Sequence, residues 1–330
     1  MSNDKFREIT SCELCGNGNL HSVLDLGHHP MCDDLVRTED TRVCNEYPIE
    51  ILFCKNCKTA HQRFQVPKED LFPATYHYRS RFTVDVLNGM SNLVDSCSQR
   101  FGSLVGKKVL DIGCNDGSLL DYFRAQGAFT IGVEPTSAYL DADSKGHIAY
   151  NNFLSEELAD AIIEVHGKPD FITFTNVFAH IEDLQKVLRS LNKLKSEETV
   201  IIIENHYLGS ILEGNQFDTF YHEHPRTYSY GSFIHMATAL GMKINSVEFP
   251  SRYGGNIRVF LGNDLHADRM DCVDLNVLAL RESNFFDDFS SLRKNMNTWL
   301  EVKRKYVQDQ QKKIRYAARQ SLSRSSRYFS

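Results

Sequence analysis

The sequence predicts an α/β fold: an open sheet of buried strands, preceded by a small metal-built domain. Three observations carry that expectation. Residues 107–132 read as a short apolar strand, a glycine turn, an amphipathic helix and a second strand. Further apolar runs then alternate with helix-spaced segments. Ahead of both stand two Cys-x-x-Cys pairs, Cys12/Cys15 and Cys54/Cys57.

In the first strand, Val109, Leu110, Asp111 and Ile112 suffice for one buried pass through a sheet. Gly113 and Gly117 bracket Cys114-Asn115-Asp116, and an amphipathic run starts at Ser118. Glycines there let backbone amides approach a ligand, and the helix start adds a positive dipole end. The second strand ends in Glu134 beside Pro135, where an acid can accept hydrogen bonds from two ribose hydroxyls. The turn lacks Gly-x-Gly-x-x-Gly, which argues against a dinucleotide.

The chain has 330 residues, enough for two or three domains, with 42% apolar and 24% charged residues, an ordinary globular composition. A formal net charge of −6 argues against nucleic acid as the main partner. No apolar run is long enough for a membrane-spanning helix, and the Met-Ser-Asn-Asp-Lys start lacks an export-signal core. A cytoplasmic protein without a membrane partner, a monomer or weak homodimer, is expected. Four of the nine cysteines lie in the two pairs, so metal binding accounts for them better than a disulfide framework.

Each Cys-x-x-Cys sits beside turn-prone residues, and four thiolates make a closed, structural zinc site. Redox chemistry is the rival for a single pair. His28, His29, Cys32 and His61 are expected as ordinary loop or surface residues. Residues 70–81 (DLFPATYHYRSR) form an aromatic and basic linker, either a packed hinge or a wall of the ligand pocket. Residues 83–101 have helical spacing.

A short third strand at residues 148–150 precedes Asn152 and Phe153, and a helix capped by Ser155 follows. Residues 171–174 and 200–204 are two further buried strands. Asn176, His180 and His206 then fall near the carboxyl edge of the sheet, where open α/β sheets bind ligands. Tyr221, His222, Glu223 and His224 are consecutive, a density that points to proton handling. The histidines lack the spacing of helical zinc hydrolase motifs, and Pro225 keeps His224 out of a helix interior. Residues 232–240 read as a helix, and 242–249 and 257–261 as strands. Phe285, Phe289, Leu292, Met296, Trp299 and Tyr306 mark a long helix with a core-facing stripe. The basic, serine-rich tail reads as a solvated end.

Together these pieces resemble the zinc-containing, S-adenosylmethionine-dependent C-methyltransferases of nucleotide-linked 4-keto-deoxysugars. The matching motifs are the four cysteines, the Asp-x-Gly-x-Asn-x-Gly turn from Asp111, Asn-Val-Phe-Ala-His-Ile at 176–181, Tyr-His-Glu-His at 221–224, and Gly254, Gly255, Arg258 and Val259. The resemblance implies a class I methyltransferase, Rossmann-like sheet. It divides the chain into a zinc domain (1–75), a cofactor domain (76–245) and a shortened C-terminal α/β substrate region (246–330). It implies Asp111, Gly113, Asn115, Gly117, Glu134, Pro135, Asn152, Phe153 and Asn176 as cofactor-binding residues. Cys12, Cys15, Cys54 and Cys57 would hold structural Zn²⁺. His224 would be the base, supported or replaced by Glu223. Tyr221 and His180 would bond the sugar or its enolate oxygen, with His222 the remaining catalytic candidate. The alternatives are a zinc-ribbon RNA or other small-molecule methyltransferase, and a non-catalytic S-adenosylmethionine-binding protein.

Overall fold

The computed structural model describes residues 6–32, 34–37, 39–72, 76–263 and 274–325, with side chains as far as residue 313. Its N-terminal part holds β1 (Arg7–Glu8), β2 (Leu20–Pro30), β3 (Glu46–Cys54), β4 (Ala60–Gln62) and β5 (Phe64–Gln65). The long antiparallel hairpin of β2 and β3 fills the interval between the two cysteine pairs. A short helix, α1 (Lys68–Leu71), leads into the linker, and α2 (Val84–Phe101) into the second part. Pro73, Ala74 and Thr75 of that linker lie outside the described residues.

The second part alternates β6 (Lys108–Ile112), α3 (Ser118–Ala125), β7 (Phe129–Val133), α4 (Tyr139–Ser144), β8 (Ile148–Tyr150) and α5 (Glu156–His166). It continues through β9 (Phe171–Thr175), α6 (Leu184–Leu194), β10 (Val200–His206) and α7 (Leu208–Gly214). As expected, Ser155 caps α5, its side chain accepting from the Leu158 amide at 3.2 Å. After β11 (Arg226–Thr227) come α8 (Tyr230–Ala239), β12 (Lys243–Glu248), β13 (Asn256–Gly262), α9 (Leu275–Ser283) and α10 (Phe285–Ser325).

Among the described residues, seven strands form one sheet in the order β12-β13-β10-β9-β6-β7-β8. Strands β6 to β10 run parallel, and β13 is antiparallel to both neighbours. That is the class I methyltransferase arrangement. Strand order reverses between β6 and β9, which opens a crevice at their carboxyl ends. Residues alternate across the sheet: Leu110, Ile172 and Ile201 pack into one core with α5 and α6, while Val109, Phe171 and Ile202 pack with α2 and α3.

Two expectations need correction. β12 straddles the 245/246 boundary, and β12 and β13 complete the central sheet instead of starting a separate region. On α10, the core stripe holds only for the first turns. Phe285, Phe289, Leu292 and Met296 are buried, whereas Trp299 is 49% and Tyr306 60% exposed. The buried half bridges the two parts, with Phe289 against Phe53 of β3 at 5.5 Å. The backbone of the basic tail continues this helix to Ser325; residues 326–330 lie outside the described region. No helix among the described residues is long and apolar enough to cross a membrane.

Candidate active site

The crevice is built at the carboxyl ends of β6, β7, β8 and β9. Gly113 follows β6 with φ +73°, and a Cβ there would lie 2.5 Å from the Val177 side chain. Only glycine permits both that backbone and that approach. Asn115, at φ +50°, donates its amide to Glu134 Oε2 at 3.1 Å. Its side chain ties the linker down: Nδ2 donates to the Tyr78 carbonyl at 3.1 Å, and Oδ1 accepts from the Ser80 amide at 3.0 Å. Phe72, Tyr76, Tyr78 and Ser80 all line the crevice, so the linker is a wall of the pocket. Asn152, Phe153, Pro135 and Asn176 line it too.

Glu134 also lines the crevice, but much of its accepting capacity is already used. Oε1 accepts from the amide and hydroxyl of Thr136 at 2.9 and 2.6 Å, and Oε2 from Asn115. A carboxylate offers about four acceptor sites. One therefore remains, on Oε2. Burial pushes the Glu134 carboxyl up, against the lowering effect of these donors.

Two expected cofactor residues stand behind the wall. Asp111 is 3% exposed and accepts from the Thr173 hydroxyl at 2.7 Å; burial pushes its carboxyl up to about 7. Gly117, at φ +73°, starts α3 and abuts Ala142 and His147, away from the crevice. Both shape the loop without lining the crevice.

Beside the crevice, three imidazoles and a phenol meet. The ring centroids of His180 and His224 are 4.8 Å apart, those of His206 and His224 5.3 Å, and those of Tyr221 and His224 4.1 Å. A turn makes this possible: the His224 amide donates to the Tyr221 carbonyl at 2.9 Å, bringing residues three apart together. His224 Nδ1 bonds the Thr219 carbonyl at 3.2 Å, so it carries the proton. Nε2 then presents a lone pair, which accepts from the Tyr221 hydroxyl at 2.9 Å. Likewise, His180 Nδ1 donates to the Glu223 carbonyl at 2.7 Å. Burial lowers the affinity of His180, His206 and His224 for a second proton, and their proximity lowers it further for His206 and His224.

The same turn sends His222 elsewhere, which corrects its expected catalytic place. Its Nε2 donates to the Tyr47 carbonyl at 3.2 Å and its ring meets Tyr47 edge-on, inside the N-terminal part. Glu223 is buried, and its backbone carbonyl holds His180. Sequence reasoning did not assign Tyr253, a crevice residue at φ +53° whose ring covers His206 edge-on at 5.4 Å. No local signal marks a left-handed tyrosine. His206 carried one, its place at the end of β10.

The run from Tyr221 to His224 is fastened to the N-terminal part. β11 pairs with β4, Arg226 opposite His61 and Thr227 opposite Ala60. The Gln62 side chain donates to the His224 carbonyl at 3.1 Å and also to that of Tyr221. Arg226, wholly buried, sits 3.1 Å from Glu13 and donates to the carbonyls of Ile181 and Glu182.

Cys12, Cys15, Cys54 and Cys57 bring their sulfurs within 4.8 Å of one another. A tetrahedral zinc with bonds of about 2.3 Å needs sulfurs roughly 3.8 Å apart, so the set fits. The ion would clip the hairpin ends together. His28, His29 and Cys32 lie outside this cluster. His61 departs from its expected surface place: it is fully buried, its Nε2 3.2 Å from the Cys12 sulfur.

Known proteins agree with this division. Residues 85–247 match the family model described as "Methyltransferase domain", and residues 12–72 one described as "Putative zinc binding domain". The chain is 29% identical over 259 residues to the C-methyltransferase NovU of Streptomyces niveus, covering 78% of this chain and 61% of that protein. It is 30% identical over 103 residues to the ubiquinone biosynthesis O-methyltransferase of Acinetobacter baumannii (strain AYE), 29% of this chain and 42% of that one. The chain therefore spans about three-fifths of the first relative's length and two-fifths of the second's. Among solved structures, the magnesium protoporphyrin IX methyltransferase of Synechocystis PCC 6803 with bound SAH superposes with a TM-score of 0.43 at 16% identity, covering 55% of this chain and 84% of that one.

Replacing Cys54 with serine removes one of the four thiolates. Zinc content, read by atomic absorption, is expected to fall towards background with a lower Tm. Full zinc content in that variant would contradict the four-sulfur site.

Proposed function

We propose that this chain, a methyltransferase domain joined to a zinc-binding domain, is a cytoplasmic enzyme that methylates carbon next to the ketone of a nucleotide-linked 4-keto-deoxysugar, through an enolate. The observation that carries the reading is the Tyr221–His224 pair, hydrogen-bonded at 2.9 Å, beside the crevice wall formed by His180. The similarity to a protein named as a C-methyltransferase supports carbon as the acceptor.

S-adenosylmethionine, held along Gly113, Glu134, Asn152 and Asn176, would supply an electrophilic sulfonium methyl group. His224 and Tyr221 act as one basic unit. The Thr219 carbonyl fixes the imidazole tautomer, so the lone pair on Nε2 faces Tyr221. A proton leaves the carbon beside the ketone for this unit, and the electron pair passes into the enolate. That carbon would be the acceptor for the methyl group that bound S-adenosylmethionine would supply, S-adenosylhomocysteine being the leaving group. Zinc held by Cys12, Cys15, Cys54 and Cys57 would play a structural part, bracing the turn that leads into β4, the strand that pairs with β11.

The purified protein is expected to form S-adenosylhomocysteine only with a keto sugar from a panel of nucleotide-linked sugars. His224→Ala should lower that rate by about 10²–10⁴-fold, the usual loss for a general base, with cofactor binding kept. Undiminished turnover in the variant would remove His224 from the base role.

The pH profile follows from the same burial. The base works unprotonated, and its pKa lies well below 6.5. As pH falls through 6.5, kcat/KM should therefore hold, and decline only at lower pH. A limb centred at 6.5 or above would contradict the buried, neutral cluster.

A further inference from the structure

We infer that His206 is a further catalytic residue, the hydrogen-bond donor to the ketone oxygen as it becomes an enolate. The inference rests on the proposed reaction and assigns it a group that the family motifs do not supply. Its ground is an inventory of protons. An enolate oxygen needs a donor, and the cluster beside the crevice offers four candidates: Tyr221, His180, His224 and His206.

Three are committed. The Tyr221 hydroxyl donates to His224 Nε2. The single N–H of neutral His180 goes to the Glu223 carbonyl, and that of neutral His224 to the Thr219 carbonyl. Carbonyl oxygens only accept, so neither imidazole can turn its proton towards substrate without stranding a buried carbonyl, at a cost of about 1–3 kcal/mol.

His206 differs. Among the described residues neither of its ring nitrogens hydrogen-bonds a protein group, and neither is sealed from solvent. It stands at the carboxyl end of β10, its ring between His224 at 5.3 Å and Tyr253 at 5.4 Å. Its proton is unspent and lies beside the base.

The surroundings fix its charge state. Burial, then the neighbouring His180 and Arg252, push its pKa down to about 4, so it is a neutral donor at physiological pH. A neutral imidazole is a suitable partner for a developing oxyanion, as it polarises the carbonyl without surrendering its proton beforehand. Arg252 adds positive potential behind it. Arg252 is 6% exposed, and its guanidinium lies 3.4 Å from Glu204, over a glycine, Gly89, whose missing Cβ leaves it room.

The test compares the full-length protein with His206→Leu, His206→Ala and His206→Gln, using S-adenosylmethionine and the keto sugar turned over by the wild type. Folding is followed by Tm and S-adenosylhomocysteine binding by calorimetry. Leucine should lower kcat by about 10²–10³, the loss typical of one oxyanion donor, with KM within about threefold. Glutamine, which restores an N–H, should recover about tenfold or more of that loss. Alanine provides the same comparison if leucine impairs folding. Retention of wild-type kcat in the truncated variants overturns this inference alone, as does a loss confined to KM. No methyl transfer by the wild type to any nucleotide-linked keto sugar overturns the reading beneath it, and this inference with it.

Discussion

A two-residue ladder holds the candidate active site in shape. Arg226 and Thr227 add β11 to the edge of β4, and the neighbouring Gln62 side chain takes the carbonyl of His224. Nothing in the run from Tyr221 to His224 is helix or strand, so its conformation depends on contacts from outside. The zinc-binding part supplies them. Buried Arg226 extends the clamp by joining Glu13, next to a cysteine ligand candidate, to the carbonyls of Ile181 and Glu182 on the crevice wall. A cysteine cluster remote from the crevice is thereby tied to the position of His224. Truncating Glu13 would leave the wholly buried Arg226 without its acidic partner, a loss of about 3–5 kcal/mol, whereas Glu13 keeps Arg7 and Gln65 when Arg226 is removed.

The second constraint is burial. His224 is buried and His180 and His206 are partly so, and the neighbouring rings further disfavour a charge on His206 and His224. Keeping all three neutral turns each into a directional device with one donor and one acceptor. Backbone carbonyls decide which nitrogen carries the proton in two of them. The site thus orients lone pairs and protons by folding, before any substrate arrives, which is how preorganised polar groups lower barriers.

Much of this was legible in the sequence because its signals are local. The apolar run 109–112, the glycine turn and the acid at 134 specify a strand, a close backbone approach and a second strand within one continuous stretch. Cys-x-x-Cys spacing specifies its own geometry. The sequence could not tell which side of the 221–224 turn faces the crevice, since a turn breaks the alternation that a strand would impose. His222 and His224 are chemically identical on paper, yet one holds Tyr47 and the other faces Tyr221. Equally hidden were long-range pairings such as Arg226 with Glu13, and the left-handed backbone of Tyr253. The stripe on α10 was visible, but periodicity does not report where its cover ends.

The central claim is that the methyl group is delivered to carbon. Its most direct test uses S-adenosylmethionine carrying a ¹³C methyl group, with the sugar product analysed by NMR for the atom that bears the label. A methyl carbon bonded to the ring carbon beside the ketone is the predicted result. A label bonded to oxygen, with the neighbouring carbon–hydrogen bond intact, would contradict the enolate account.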